Sequence, residues 1–281
     1  MLYANVIVKQ RTQVQELTYA LNAQIIPYVK VGSLVIVPLR QKTVKGVVVG
    51  FSRRVDARLR ANIREIIKLT PSEYQFSDAQ IKVIGELAAH YAAPLAEVAF
   101  HALDLPQFWP PTTKKGVFKP VVVTGAWSRR CEIYRQIITK TAGRVLLIFA
   151  QHSFADNFIQ TLPASLRLDI LYYIKGLSQK KFLASVEATN CRIIVGTFGE
   201  IFFPLQEGDT IIIDQPSHIG AKSQTRPYMS AKQIAIIRAK VENLQLIIGE
   251  GIISSEDLLA VKDKRARLVA SKNLAQSLTI I

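Results

Sequence analysis

The chain has 281 residues, 49% of them hydrophobic and 20% charged, which provides for two buried cores and excludes a disordered chain. Two cysteines, Cys131 and Cys191, are too few for a disulfide framework or a four-thiolate zinc site, and sparse thiols suit a reducing compartment. A net charge of +15 directs attention to a polyanionic partner. No basic, apolar and small-residue leader precedes the strand-like Val6-Ile7-Val8, and no apolar run approaches membrane-spanning length. The expectation is a cytoplasmic protein with no membrane partner.

The charge is uneven along the chain. Residues 1–70 hold 12 Lys and Arg against 3 Asp and Glu, residues 71–111 hold 1 against 5, and residues 112–281 hold 23 against 13. Lysine and arginine bind nucleic acid by displacing counterions condensed on the phosphates, so a basic first quarter is a candidate nucleic-acid face. A solvated basic surface is the plain alternative.

In chain order, residues 1–70 read as short strands at Ala4–Lys9, Leu17–Asn22, Leu34–Leu39 and Val44–Phe51, punctuated by Pro27, Gly32, Pro38 and Gly46. Residues 71–105 read as helical. Ser77-Asp78 caps a first helix with Ile81, Ile84, Leu87 and Ala88 on one face, and Pro94 opens a second through Leu95, Val98 and Ala99. Residues 106–120 are rich in proline and polar residues and mark a linker, in which Trp109 is assigned to packing.

From 121 to 281, apolar runs alternate with amphipathic segments. Strands are expected at Val121–Thr124, Val145–Phe149, Leu168–Ile174, Ile193–Val195, Ile211–Ile213 and Leu246–Ile248. Helices are expected at 130–141, 153–162, 178–188, 229–242 and 254–260. Strands so uniformly apolar are buried on both faces, as in a parallel sheet covered by helices. The fold class is therefore α/β: a small β-rich domain and a short helical segment, followed by one doubly wound lobe.

Several strings in this order resemble the primosomal protein N′ (PriA) family of replication-restart helicases. Leu17-Thr18-Tyr19, the run Gly32 to Pro38 and the run Gly46 to Gly50 resemble that family's 3′-DNA-binding domain. His90-Tyr91 with Pro94-Leu95-Ala96-Glu97-Val98 resembles its winged-helix segment. Lys175 to Ser178, Ile194 to Thr197 with Phe202 to Leu205, and Ile237 to Asn243 resemble strings of its RecA-like lobe. The resemblance implies DNA as partner, in forks and at 3′ ends, and other replication-restart proteins beside it. By position it implies a terminal-nucleotide pocket at Leu17, Thr18, Gly32 and Arg64. Phosphate contacts are assigned to Arg40, Lys42, Lys45, Arg53, Arg54 and Arg64, with Arg58 and Arg60 in the same basic cluster.

The helicase motifs depart from the family pattern. Its phosphate-binding loop falls on Thr124 to Cys131, where Arg129 stands for a glycine, Arg130 for the lysine and Cys131 for the magnesium-ligating hydroxyl. Its acidic box falls on Asp214-Gln215-Pro216-Ser217, where Asp214 keeps a magnesium ligand but Gln215 offers no base. Gly249-Glu250-Gly251-Ile252 lacks the hydroxyls of the family's nucleotide-coupling string, and the second lobe and zinc module have no counterpart before Ile281.

Ser128, Arg129, Arg130, Cys131 and Asp214 are thus a vestigial nucleotide site. The two arginines are expected either to open a solvated helix or to retain weak phosphate attraction. No catalytic residue, metal or resident cofactor is expected, and His90, His101, His152 and His218 lack metal-ligand spacing. The rival reading is a divergent ATP-dependent 3′-to-5′ DNA helicase that uses ATP and magnesium with a partner lobe. A scaffold without DNA binding is a third.

Overall fold

A computed structural model of the chain describes residues 2–8, 16–55, 62–70, 75–102, 118–172 and 191–269. Most of the expected linker, the helix at 178–188, the string Lys175 to Ser178, Trp109, Arg58 and Arg60 lie outside them. The chain divides into two units, residues 1–111 and 112–281.

The first unit is built on β1 (Tyr3–Val8), β2 (Leu17–Ala20), β3 (Leu34–Leu39), β4 (Lys42–Ser52) and β5 (Lys68–Leu69), in the antiparallel order β2-β1-β4-β3-β5. The sheet closes on itself. The Ala20 amide donates to the Arg64 carbonyl at 2.9 Å and the Ile66 amide to the Ala20 carbonyl at 3.1 Å, while Lys68 and Leu69 pair with β3. Alternation explains the interior: Val6, Val8, Tyr19, Val35, Val37, Val48 and Ile66 are buried together there. On the outer side Ile7, Val47 and Leu34 form a paired, buried row.

Helix α1 (Asp78–His90) begins with the expected cap. The Ser77 side chain accepts from the Gln80 amide, and the Gln80 side chain accepts from the Ser77 amide, so two orphan donors of the first turn are satisfied. Its buried face is Gln80, Val83, Ile84, Leu87 and Ala88; Ile81, expected in the core, is only half-buried, because the stripe runs through Val83 instead. Helix α2 (Leu95–Ala102) follows and lies against β1.

The second unit is the expected parallel sheet covered by helices. Its strands are β6 (Val121–Thr124), β7 (Val145–Phe149), β8 (Ile170–Tyr172), β9 (Ile193–Gly196), β10 (Thr210–Asp214), β11 (Gln245–Glu250) and β12 (Arg267–Val269), in the order β12-β6-β11-β10-β7-β9-β8. Every described pairing is parallel. The helices are α3 (Trp127–Lys140), α4 (His152–Thr161), a single turn α5 (Ala164–Arg167), α6 (Ala231–Glu242) and α7 (Ser255–Lys262). The central strands β7, β9 and β10 are buried along their whole length, as their near-continuous Val, Ile and Leu content requires.

Three differences from the sequence reading have local causes. Leu168 is 86% exposed and lies outside β8, since Asp169 and the turn before it separate Leu168 from the sheet. Strands β5 and β12, of two and three residues, are too short to show a period. Arg238 and Glu242 lie within α6 yet are fully buried as an i,i+4 ion pair, with Arg238 also donating to the Ile201 carbonyl.

Candidate nucleic-acid interface and the helix-start site of the lobe

The basic residues of the first unit divide between two ends of the barrel. Arg40 sits in the two-residue connection from β3 to β4 with φ of 54°, next to Lys42, and the Arg64 guanidinium donates to the Arg40 carbonyl at 2.5 Å. Lys45 stands three residues further along β4, and all four side chains are exposed. Arg53 and Arg54 follow the other end of the 11-residue β4. The Ser52 hydroxyl accepts from the Arg54 amide at 3.2 Å and so fixes that turn. The sequence cluster is therefore not one surface. Arg64 meets Arg40 at the β3–β4 connection that leads into Lys42, Lys45 projects from the opposite face of β4 to Lys42, and Arg53 and Arg54 follow the other end of that strand.

Leu17 packs toward the barrel interior, whereas Thr18, its neighbour on β2, points to the opposite face. Gly32, with φ of 90°, leaves no open space: a Cβ there would stand 2.1 Å from the Phe76 carbonyl oxygen. Its amide donates to Val48 at 2.7 Å and its carbonyl accepts from Phe76 at 2.9 Å, which ties the loop before β3 to both β4 and the chain entering α1. Gly32→Val should therefore destabilise the unit by about 1–3 kcal/mol through overpacking, with a further 1–2 kcal/mol for the left-handed backbone. Thermal unfolding of the variant checks this; an unchanged midpoint would return Gly32 to the role of a pocket wall.

Burial raises the Tyr19 hydroxyl above its ordinary value, the Arg64 charge opposes that shift, and the hydroxyl donates to the Pro38 carbonyl at 3.0 Å. The sequence did not reveal a cavity of about 540 Å³ lined by Glu16, the α1–α2 turn at Ala88, Ala89, Ala92 and Ala93, and Pro94 and Leu95. Its size is that of small-ligand sites. Clustered alanines were its one visible signal, since small side chains leave room beside a turn.

In the second unit, β6, β11 and β10 are adjacent and end at one level, with Thr124 opposite Glu250 and Asp214 opposite Gly249. Ligands of doubly wound sheets bind beyond such strand ends. Helix α3 starts here with Ala126 as its cap and no side chain satisfying its first amides.

Arg130 does not open onto solvent. It is 2% exposed, with Nε 2.8 Å from Asp214 Oδ1, Nη2 3.2 Å from Oδ2 and Nη1 2.6 Å from the Gly125 carbonyl. The Tyr134 hydroxyl donates to Asp214 Oδ1 at 2.6 Å, and the guanidinium lies 5.6 Å from the Trp127 ring centroid. Burial by itself would lower the Arg130 pKa; hydrogen bonding and the charge of Asp214 outweigh it and hold the group above its ordinary value. Burial, with Asp214 beside it, raises the Tyr134 phenol well above its own.

The expectation of a solvated Arg130 is thus corrected, because its long side chain finds in Asp214 a bidentate acceptor at the next strand end but one. The expectation that Asp214 remains available to magnesium is corrected by the same contact. Arg129 pairs instead with Glu132, one turn along α3, and Ser128 is exposed. Cys131 is buried, and burial followed by the Asp214 charge pushes its thiol up to about 12, so it packs as a neutral group. The donor set does not fit a magnesium nucleotide: the one carboxylate faces an arginine and a phenol, and the cation at the lysine position faces that carboxylate.

The neighbouring loops are fitted around this pair. A Cβ at Gly249 would fall 1.5 Å from the Tyr134 hydroxyl, so only glycine admits that ring. The buried Glu250 carboxylate accepts from the Ser217 amide at 3.0 Å and hydroxyl at 2.6 Å, joining the loops after β10 and β11. The contacts of Glu250 and Tyr134 are not legible in the sequence: Glu250 stands out there only for lacking the hydroxyl of the nucleotide-coupling string, and Tyr134 carries no role, since their partners Ser217 and Asp214 are distant in the sequence. Among the described residues no group of three or more His, Cys, Asp or Glu stands together, and no helix is long and apolar enough to cross a membrane.

Residues 5–104 match the model of the PriA 3′DNA-binding domain. The chain is 26% identical over 259 residues to the replication restart protein PriA of Helicobacter pylori, covering 83% of this chain and 41% of that protein. To the Rickettsia felis PriA it is 19% identical over 275 residues, covering 86% and 42%. The chain thus spans about two fifths of the length of these relatives. Among solved structures, the C-terminal domain of the DEAD-box protein Dbp5 matches at 7% identity with a TM-score of 0.39, covering 56% of this chain and 92% of that one. With its first unit matching the 3′DNA-binding domain and its likeness to PriA proteins continuing through the parallel sheet, the chain is similar to PriA proteins along most of its length.

Proposed function

We propose that the protein binds forked or 3′-ended DNA in replication restart and holds it for other replication-restart proteins in the cytoplasm, without turning over ATP. The observation that supports it best is the match of residues 5–104 to a 3′DNA-binding domain, on which Arg64 meets Arg40 at a connection flanked by the exposed Lys42. Against turnover stands the Arg130–Asp214 pair, which engages the position of the phosphate clamp and that of the metal ligand with each other.

The test is binding of the purified chain to a fork carrying a free 3′-hydroxyl end, compared with the same fork phosphorylated at that end and with blunt duplex of equal length. The expected order is free end first, with a steep fall in affinity as salt rises, since each duplex phosphate contact contributes a log–log slope of roughly −0.9. Equal affinity for all three would leave only a generic polycation. The rival reading, a divergent ATP-dependent 3′-to-5′ DNA helicase completed by a partner lobe, is supported by the RecA-like sheet but requires ATP and magnesium where the Arg130–Asp214 pair now stands.

A further inference from the structure

Strand register places a second basic feature on the barrel, one that the sequence separates. Lys45 of β4 is paired with Ile36 of β3, and Ile36 with Lys68 of β5. Directly opposed residues of antiparallel strands project from the same face, so the three form one transverse row, lysine–isoleucine–lysine. The row lies two residues along both strands from the buried pair Val47 and Leu34, and therefore on the same outer side. Beyond that pair the wall is open: Lys45, Lys68 and Thr43 are exposed, Ile36 is half-buried, and Ile67 is 54% exposed. No carboxylate occupies any position of β3, β4 or β5.

We propose that this outer wall of β4, β3 and β5 is a phosphate-binding ridge along which the DNA backbone runs, separate from recognition of the 3′ end. Two strand spacings put Lys45 and Lys68 about 10 Å apart at the backbone, and their long flexible side chains bring the two ammonium heads within reach of nearby phosphates of one strand. Ile36 between them offers an apolar contact to a sugar without competing for charge. The ridge leads toward Arg40 and Lys42 at the β3–β4 connection, which extends the cationic track to Arg64. Charge complementarity selects the occupant as a nucleic-acid backbone.

The inference rests on the proposed DNA binding, and the experiment separates the two. The full chain and its Lys45→Glu/Lys68→Glu variant are titrated with the 3′-hydroxyl and 3′-phosphate forks across a salt series, beside Lys262→Glu/Lys264→Glu, which makes the same charge change on exposed residues of the lobe. The ridge variant is expected to bind at least tenfold more weakly at low salt, with a log–log slope shallower by about 1.8 and an unchanged ratio between the two forks. The lobe variant should stay within about twofold of the parent.

A ridge variant that binds like the parent overturns the ridge and leaves the DNA-binding reading standing. Equal losses in both variants reduce the effect to net charge and also overturn it. A parent that binds no DNA overturns both readings. Both pairs are exposed, and unchanged thermal unfolding keeps the comparison free of folding effects.

Discussion

Asp214→Ala is expected to destabilise the parallel-sheet unit by about 3–5 kcal/mol, because it strands the Arg130 guanidinium, 2% exposed, without its carboxylate. The substitution also removes the acceptor of the Tyr134 hydroxyl in the same dry site. Replacing the whole set by Arg130→Met, Asp214→Leu and Tyr134→Phe should cost far less, since an apolar set of similar volume carries no unpaired charge. Urea unfolding of the three proteins measures the difference. A single variant as stable as the parent would show that Arg130 escapes to solvent and that the site is open. The contrast matters for function: a carboxylate kept to hold a metal is removed with little loss of stability, whereas one kept to neutralise a buried arginine is not.

No DNA-stimulated ATP hydrolysis is expected from the chain. Phosphate clamp, metal ligand and water-activating group act as a unit in phosphoryl transfer, so losses among them are not compensated singly. Here Arg129 stands at the glycine position, Cys131 is a neutral buried thiol, Gln215 is an amide, and Arg130 and Asp214 are engaged with each other. Substituting Arg129→Gly, Arg130→Lys, Cys131→Thr and Gln215→Glu together frees Asp214 from its bidentate partner, because an ammonium offers a point charge and no planar fork. Nucleotide binding should rise in that variant while unwinding of a fork stays at background. Phosphate release by the unmodified chain that is stimulated by DNA and co-elutes with the protein would establish a working motor.

The fold class was legible in the sequence because its two periods are local. The barrel strands show turn residues and short apolar runs, and the lobe strands show near-continuous Val, Ile and Leu, so β3, β6 and β7 fall where the residues alone put them. The Ser77-x-x-Gln80 capping box is equally local, and the structure forms both of its bonds. The likeness to PriA proteins, too, was readable, since ordered strings survive where overall identity is low.

What the tertiary structure decided is which side chains meet. Arg40 and Arg53 belong to one basic segment, yet they flank opposite ends of an 11-residue strand. Lys45 and Lys68 are 23 positions apart in the sequence, yet register sets them in one row. Gly32 suggested a pocket, but the Phe76 carbonyl, which no local pattern places there, occupies the space. Arg130 carried the clearest signal of lost chemistry, while its partner Asp214 lies 84 residues away and only the adjacency of parallel strand ends brings them together. Sequence periodicity reports how each segment divides between core and solvent. Whether a charge is solvated, paired or buried depends on contacts between distant segments, which only the folded sheet order specifies.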